Sequence, residues 1–134
     1  MVDFGAQYAQ VIARRVRELH VYSEIVPYNL SVTDVVAKNP AAIVLSGGPK
    51  SVNEKGAPSL DPGIYELGIP ILGICYGAQL LARDLGGEVA KNVVGEYGRT
   101  ALGRLEDVDS VLLQSLPKSF SVWMSHFDAI SKPP

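Results

Sequence analysis

The sequence is poor in the residues that build metal centres and disulfide frameworks. Its 134 residues include one cysteine, Cys75, and two histidines, His20 and His126. A single cysteine cannot form an internal disulfide, and these three residues show none of the close spacings typical of a zinc site. We therefore expect no metal in this chain, and the cysteine content agrees with a reducing compartment.

The sequence also lacks a charge excess and a long apolar segment. Twelve Lys and Arg residues are balanced by 14 Asp and Glu residues, which gives a net charge of −2. Without a basic field, nucleic acid is not an expected partner. No apolar run is long enough to span a bilayer, and no signal-peptide pattern is visible. We expect no membrane partner and a cytoplasmic location.

What the sequence does contain is an alternation of strand and helix patterns over its first 87 residues. Of all residues, 47% are hydrophobic, which is enough to build a core. The spacing of apolar residues predicts strands at 2–4, 21–26, 41–45 and 69–74, and helices at 7–20, 31–39, 61–67 and 78–85. The fold class is therefore α/β, with an open, mostly parallel sheet flanked by helices and sites at the carboxyl ends of the strands.

After Gly87 the pattern changes to short apolar segments separated by glycines. Antiparallel strands are expected in this region, at 88–90, 93–94, 100–102 and 121–125, and a small helix is expected to start at 111–113. Neither a repeat nor a linker interrupts the chain. We therefore expect a single domain over residues 1–134, with a small antiparallel addition after residue 87.

Cys75 lies at the junction of a predicted strand and a predicted helix. The segment Gly73-Ile74-Cys75-Tyr76-Gly77 has the layout of a nucleophile elbow, with sulfur in place of the usual serine oxygen. The glycines leave room for a tight turn, so that the side chain stands exposed at the end of the strand. The alternative is a small buried hydrophobic residue, as most lone cysteines are. We favour a nucleophile and expect Cys75 to be exposed and reactive.

A second glycine-rich turn, Ser46-Gly47-Gly48-Pro49, follows another predicted strand. If that strand lies beside the strand that leads to Cys75, the N–H groups of Gly48 and Tyr76 converge near the sulfur. Two such donors stabilise a developing oxyanion. The alternative is a tight turn that uses glycine for a positive φ. Neither Gly-x-x-x-x-Gly-Lys nor Gly-x-Gly-x-x-Gly occurs, so no nucleotide site is predicted.

The two glycine-rich motifs resemble the leading motifs of class I glutamine amidotransferases, a family with a flavodoxin-like sheet. They are Leu45-Ser46-Gly47-Gly48-Pro49 and Gly73-Ile74-Cys75-Tyr76-Gly77-Ala78-Gln79. Three further segments are similar to the GMP synthase branch of that family: Val2-Asp3-Phe4-Gly5-Ala6-Gln7-Tyr8, Gly95-Glu96-Tyr97-Gly98 and Trp123-Met124-Ser125-His126. The resemblance covers almost all of the chain.

The resemblance implies a role for each matching residue. Cys75 would attack the side-chain amide of glutamine and form a thioester with release of ammonia, while Gly48 and Tyr76 hold the oxyanion. Gln79, Ser125 and His126 would lie in the substrate-binding site, although Gln79 also suits an ordinary exposed position on a helix.

The resemblance also implies a partner for the ammonia that this reaction releases. In the GMP synthase branch, the ammonia passes to an ATP pyrophosphatase (synthetase) domain, which aminates xanthosine monophosphate. ATP and Mg²⁺ serve that second domain, and no cofactor is expected in the amidotransferase domain itself.

The sequence departs from the family pattern at several points. The motif His-Pro-Glu, which supplies an activating histidine and its orienting acid, does not occur. We expect a chain that is incomplete at both ends, lacks the part with that motif and is by itself a poor glutaminase. His20 is expected at the surface, His126 is not the expected base, and Phe127 is expected to narrow the glutamine pocket.

Two other functions remain open at this point. One is a non-catalytic module that binds glutamine or a synthase partner. The other is an amidotransferase subunit that serves a different synthase.

Overall fold

The computed structural model describes residues 1–103 and 110–134, and of residues 92–94 it describes the backbone alone. The chain divides into two compact units. The first unit contains Met1–Ala90 together with Asp128–Pro134, and the second contains Lys91–Phe127.

The first unit is built on a parallel sheet of four short strands. They are β1 (Val2–Asp3), β2 (Val26–Pro27), β3 (Ile43–Leu45) and β4 (Ile71–Gly73), arranged in the order β2-β1-β3-β4. Leu45 at the end of β3 lies opposite Val2 of β1 on one side and Gly73 of β4 on the other. The carboxyl ends of β3 and β4 therefore lie side by side, as the sequence predicted for a shared site.

Three α-helices and one 3₁₀ helix accompany this sheet. They are α1 (Ala9–Glu18), α2 (Val32–Lys38), the 3₁₀ helix Pro62–Leu67, and α3 (Tyr76–Asp84). The side-chain oxygen of Ser31 accepts a hydrogen bond from the Asp34 N–H and so caps α2, and Asp61 caps the 3₁₀ helix through the Gly63 N–H. Such side-chain oxygens satisfy N–H groups that the start of a helix leaves without partners.

The core of the first unit lies between the sheet and its helices. Leu45, Ile64 and Leu80 are its largest fully buried side chains, and they come from β3, the 3₁₀ helix and α3. On α1, Ala9 and Ala13 are buried, whereas Arg14 and Arg15 are exposed and pair with Glu18. These arginines of α1 thus form part of a solvated surface.

The strand predicted at 21–26 is largely wrong. Only Val26 and Pro27 pair with the sheet, opposite Val2 and Asp3. The preceding residues are tied to α1 instead, because the Arg17 guanidinium donates to the Ser23 carbonyl and the Ser23 hydroxyl donates to the Ala13 carbonyl. These bonds hold the apolar segment along the helix, where it forms no ladder.

Two long strands, β5 (Glu88–Gly103) and β6 (Ser119–Lys132), form a small antiparallel sheet. The antiparallel addition was predicted, but the separate short strands were not correct, because Gly95 and Gly98 lie inside one continuous strand. The helix predicted at 111–113 is also wrong: residues 111–115 form hydrogen-bonded turns instead. In the parts of the chain that the structure describes, no helix has the length and apolar character needed to cross a membrane.

Candidate active site

Cys75 immediately precedes α3 and adopts an unusual backbone conformation. Its φ is 51° and its ψ is −113°, a combination that side chains with a Cβ rarely tolerate. Strained backbone of this kind is characteristic of catalytic nucleophiles at strand-to-helix turns. The Cys75 side chain is exposed. The predicted elbow geometry and exposure are therefore present.

The two glycines that flank Cys75 have a steric reason to be glycine. A Cβ on Gly73 would lie 2.5 Å from the Ala78 Cα, and one on Gly77 would lie 2.5 Å from both the Leu45 Cβ and its carbonyl oxygen. Real Cβ atoms do not approach other atoms so closely, so larger residues would push α3 away from the strand ends. The glycines thus let the helix begin directly against β3 and β4.

The Gly47-Gly48 turn lies next to this elbow. A Cβ built on Gly47 would be 3.5 Å from the Cys75 Cβ, and one built on Gly48 would be 3.2 Å from the Tyr76 ring. Within the described parts of the chain, neither the Gly48 N–H nor the Tyr76 N–H donates a hydrogen bond. The two glycine-rich turns therefore lie next to each other, and the Gly48 and Tyr76 N–H groups are uncommitted among the described residues.

Tyr76 anchors the start of α3 to the core. Its ring is buried and packs against Phe4 with a centroid distance of 5.2 Å, and its hydroxyl donates to the Pro58 carbonyl. Burial raises the pKa of the Tyr76 phenol above its usual value, so the ring serves as a neutral packing group. Its backbone N–H is thereby held in place beside Cys75.

Gln79 lies one turn along α3 and is buried, so the interpretation of an ordinary exposed glutamine is wrong. Its side-chain amide nitrogen donates to the Asp128 carbonyl oxygen at 2.7 Å. The Asp128 carboxylate is itself buried and accepts a hydrogen bond from the Ser51 hydroxyl. Sequence reasoning missed Asp128, and its place directly after His126-Phe127 was the only available signal.

Ser46 is a second residue that sequence reasoning missed. It is fully buried, and its hydroxyl accepts from the Phe4 N–H at 3.0 Å and donates to the Gly47 carbonyl at 2.9 Å. A polar residue that immediately follows a buried strand and precedes two glycines was the signal for it. Ser46 connects the end of β1 to the glycine turn.

Ser125, His126 and Phe127 lie on β6 in the second unit. Ser125 is exposed, whereas His126 is half-buried and its Nε2 lies 3.2 Å from a Glu96 carboxylate oxygen. A Cβ on Gly95 would meet the rings of Tyr97 and Phe127 at 2.5 and 3.0 Å. Phe127 therefore packs over the glycine of the neighbouring strand.

His20 and the possible metal ligands are the remaining features that were considered in the sequence. His20 is exposed at the end of α1, as expected. Among the described residues, no group of three His, Cys, Asp or Glu side chains is arranged to hold a metal ion.

The comparison with known families agrees with this geometry. The family model described as "Glutamine amidotransferase class-I" matches residues 1–134. The chain therefore belongs to the class I glutamine amidotransferase family, as its motifs indicated.

Curated relatives narrow the resemblance to one branch of the family. The chain is 58% identical over 134 residues to GMP synthase [glutamine-hydrolyzing] of Thermobifida fusca and 58% identical to that of Streptomyces coelicolor. In both cases the match covers 100% of this chain and 25% of the relative. The chain thus spans about a quarter of the length of the curated relatives it matches.

Solved structures share the fold. A candidate GMP synthase subunit from Thermoplasma acidophilum aligns with a TM-score of 0.84 and 32% identity, over 99% of this chain and 66% of that one. A glutamine amidotransferase from Thermotoga maritima aligns with a TM-score of 0.70 over 98% of this chain and 58% of that one. At 23% identity, the second likeness concerns the fold alone.

Proposed function

We propose that this chain is the glutamine-hydrolysing part of a GMP synthase. The observation that carries the proposal is the exposed Cys75 at φ 51°, next to the uncommitted N–H groups of Gly48 and Tyr76. Membership of the class I glutamine amidotransferase family and 58% identity to GMP synthase of Thermobifida fusca support the choice of substrate.

In the proposed reaction, the Cys75 sulfur attacks the side-chain amide carbon of glutamine. The carbonyl oxygen becomes an oxyanion, which the Gly48 and Tyr76 N–H groups stabilise. Stabilisation of this kind is usually the largest single contribution to lowering the barrier of acyl transfer. The C–N bond then breaks, and the nitrogen leaves as ammonia with the proton that the thiol has given up. Water hydrolyses the thioester to glutamate and restores Cys75.

Three further residues are proposed to take part in binding the substrate. Gln79 contributes from α3, and Ser125 and His126 contribute from β6. In the structure the Gln79 amide nitrogen is bonded to the Asp128 carbonyl. Its side-chain oxygen is then the atom that we assign to substrate recognition.

The ammonia is proposed to serve a synthetase domain of the ATP pyrophosphatase type. That domain would use ATP and Mg²⁺ to aminate xanthosine monophosphate to GMP in the cytoplasm, and the amidotransferase part would need no cofactor. The length of the curated relatives, about four times that of this chain, supports a fused arrangement.

A second candidate function is a non-catalytic module that binds glutamine or a synthase partner. These 134 residues contain no His-Pro-Glu, and they span about a quarter of the length of the curated relatives. A positioned base typically accelerates such reactions by about 10²–10⁴-fold, so the 134 residues alone are expected to hydrolyse glutamine slowly.

The test is ammonia release from glutamine by the full-length natural protein, compared with Cys75→Ala and with Ser23→Ala as a matched control. Ser23 lies in the segment after α1, and its hydrogen bonds go to Ala13 and Arg17 of that helix. We expect release that falls to background in Cys75→Ala alone. Absence of release with retained glutamine binding would favour the binding module, and absence of both would overturn the proposal.

A further inference from the structure

We infer that Ser46 is a positioning residue that orients the peptide between Gly47 and Gly48 toward the oxyanion. The inference rests on the proposed function, because it concerns the same reaction. Ser46 itself touches neither the sulfur nor the substrate in this assignment. It acts through the backbone of the glycine turn.

The Ser46 hydroxyl is fully committed to two backbone groups. It accepts from the Phe4 N–H at 3.0 Å and donates to the Gly47 carbonyl oxygen at 2.9 Å, and the residue has no exposed surface. Removal of the hydroxyl therefore takes away one hydrogen-bond partner from each of these two backbone groups. Buried polar groups that lose their partners destabilise the arrangement that held them.

The bond to the Gly47 carbonyl also fixes the direction of the Gly48 N–H. The two groups belong to one planar trans peptide, in which the C=O and N–H bonds point in opposite directions. The hydroxyl holds the carbonyl on the side of Phe4, and the Gly48 N–H is therefore directed away from that side. A glycine turn has little intrinsic preference of its own, so this bond selects one of several accessible orientations.

The backbone of Ser46 ties the same turn to the nucleophile. Its N–H donates to the Val2 carbonyl at 3.0 Å, and its carbonyl accepts from the Gly77 N–H at 3.0 Å. Gly77 is the second residue of α3, two positions after Cys75. Ser46 therefore fixes the position of the glycine turn relative to the start of α3. The Gly48 and Tyr76 N–H groups lie on these two segments, and both must reach the same oxygen.

A change in the orientation of the Gly48 N–H affects the transition state more than the ground state. The oxyanion exists only after attack on the amide, so loss of the donor lowers kcat and leaves KM nearly unchanged. Loss of one such donor typically costs about 10²–10³ in kcat. For a donor that is misoriented rather than removed, we expect a decrease of roughly 10–100-fold.

The experiment measures glutamine hydrolysis by the full-length natural protein with Ser46→Ala, Ser46→Thr and Ser23→Ala. We expect kcat to fall about 10–100-fold in Ser46→Ala, with KM within about threefold of the parent value, and to be largely restored in Ser46→Thr, which keeps a hydroxyl. Ser23→Ala also loses one hydroxyl-to-carbonyl bond, and it should leave kcat unchanged.

A second measurement separates positioning from general loosening of the site. Alkylation of Cys75 by iodoacetamide displaces iodide and forms no oxyanion, so its rate should be the same in Ser46→Ala as in the parent. A parallel fall in alkylation rate and kcat, or an unchanged kcat, overturns the inference.

Two further outcomes are decisive. If Ser46→Ala does not fold, Ser46→Thr and Ser46→Cys are compared instead. A thiol is a much weaker hydrogen-bonding group than a hydroxyl, so equal kcat values for these two variants overturn the inference. If the parent protein shows no Cys75-dependent ammonia release, the proposed function itself fails and the inference with it. An active parent with an unaffected Ser46→Ala variant contradicts the inference alone.

Discussion

The two units of the chain differ in how they use their side chains. In the first unit, helices and a parallel sheet bury a core, and Ser46, Gln79 and Asp128 are buried there as polar residues with hydrogen-bond partners. In the described part of the second unit no side chain is buried, and Trp123 and Tyr97 are 79% and 69% exposed. Cys75 lies on the packed unit, where its neighbours have little freedom to move.

The same contrast appears in the glycines. Gly73 and Gly77 allow close approach of backbone to backbone, whereas Gly95 makes room for two aromatic rings and Gly103 has open space around it. A missing Cβ therefore has a different function in each unit. In the first unit the elbow can form only because Gly73 and Gly77 have no Cβ. In the second unit the lack of a Cβ mostly affects the local packing of the two strands.

The sharpest test of the contrast removes one large apolar side chain from each unit. Leu80 is fully buried on α3 and Trp123 is largely exposed on β6. We expect Leu80→Ala to lower the free energy of unfolding by about 2–5 kcal/mol and Trp123→Ala to change it by less than about 0.5 kcal/mol. Urea unfolding followed by far-UV circular dichroism measures both. Comparable losses would mean that the second unit packs as tightly as the first.

The glycine contrast is tested by adding one methyl group in each unit. Gly77→Ala brings a Cβ to 2.5 Å from Leu45, whereas a Cβ on Gly103 meets no atom of the described residues within 4 Å. Overpacking of this kind costs about 1–3 kcal/mol, so Gly77→Ala should lower Tm clearly and slow the labelling of Cys75. Gly103→Ala should leave both unchanged. If Gly77→Ala were tolerated as well as Gly103→Ala, the steric account of the elbow would be wrong.

The parts of the molecule that the sequence predicted correctly are those with strong local signals. The elbow around Cys75 and the apolar strand that ends at Leu45 each depend on a few adjacent residues. Such signals survive folding because the surrounding structure agrees with them. The adjacency of Gly48 and Tyr76 followed from the order of the strands.

The errors arose where distant contacts decide the structure. The segment before Val26 is apolar, but hydrogen bonds from Arg17 and Ser23 hold it along α1. The burial of Gln79 could not be predicted either, because its amide bonds to Asp128, which is 49 positions away in the sequence. The bond between the Phe4 N–H and the Ser46 hydroxyl was equally hard to predict, because the two residues lie 42 positions apart.

A smaller effect is expected at two left-handed backbone positions, one in each unit. His20 has φ 60° at the end of α1, and Gly98 has φ 105° inside β5 with open space around its Cα. A residue with a Cβ costs about 1–2 kcal/mol in the left-handed region, so His20→Gly should stabilise by about 0.5–1 kcal/mol after the entropic cost of glycine. Gly98→Ala should destabilise by about 1 kcal/mol. Thermal unfolding measures both, and changes of the same sign would contradict the prediction.

The smallest expected effect is a loss of stability at alkaline pH that depends on the Tyr65 hydroxyl in the first unit. Burial, followed by a hydrogen bond to the Asp84 carboxylate at 2.8 Å, raises the pKa of the Tyr65 phenol well above its usual value. The unfolded chain releases this proton near pH ~10, while the folded chain retains it. The contribution of Tyr65 to the free energy of unfolding is therefore fully present below pH ~10. It decreases as the pH rises further, because the unfolded state then binds fewer protons than the folded state. Tyr65→Phe should show a shallower fall in urea midpoint between about pH 9 and about pH 11, and an identical fall in both proteins would exclude Tyr65 as its source.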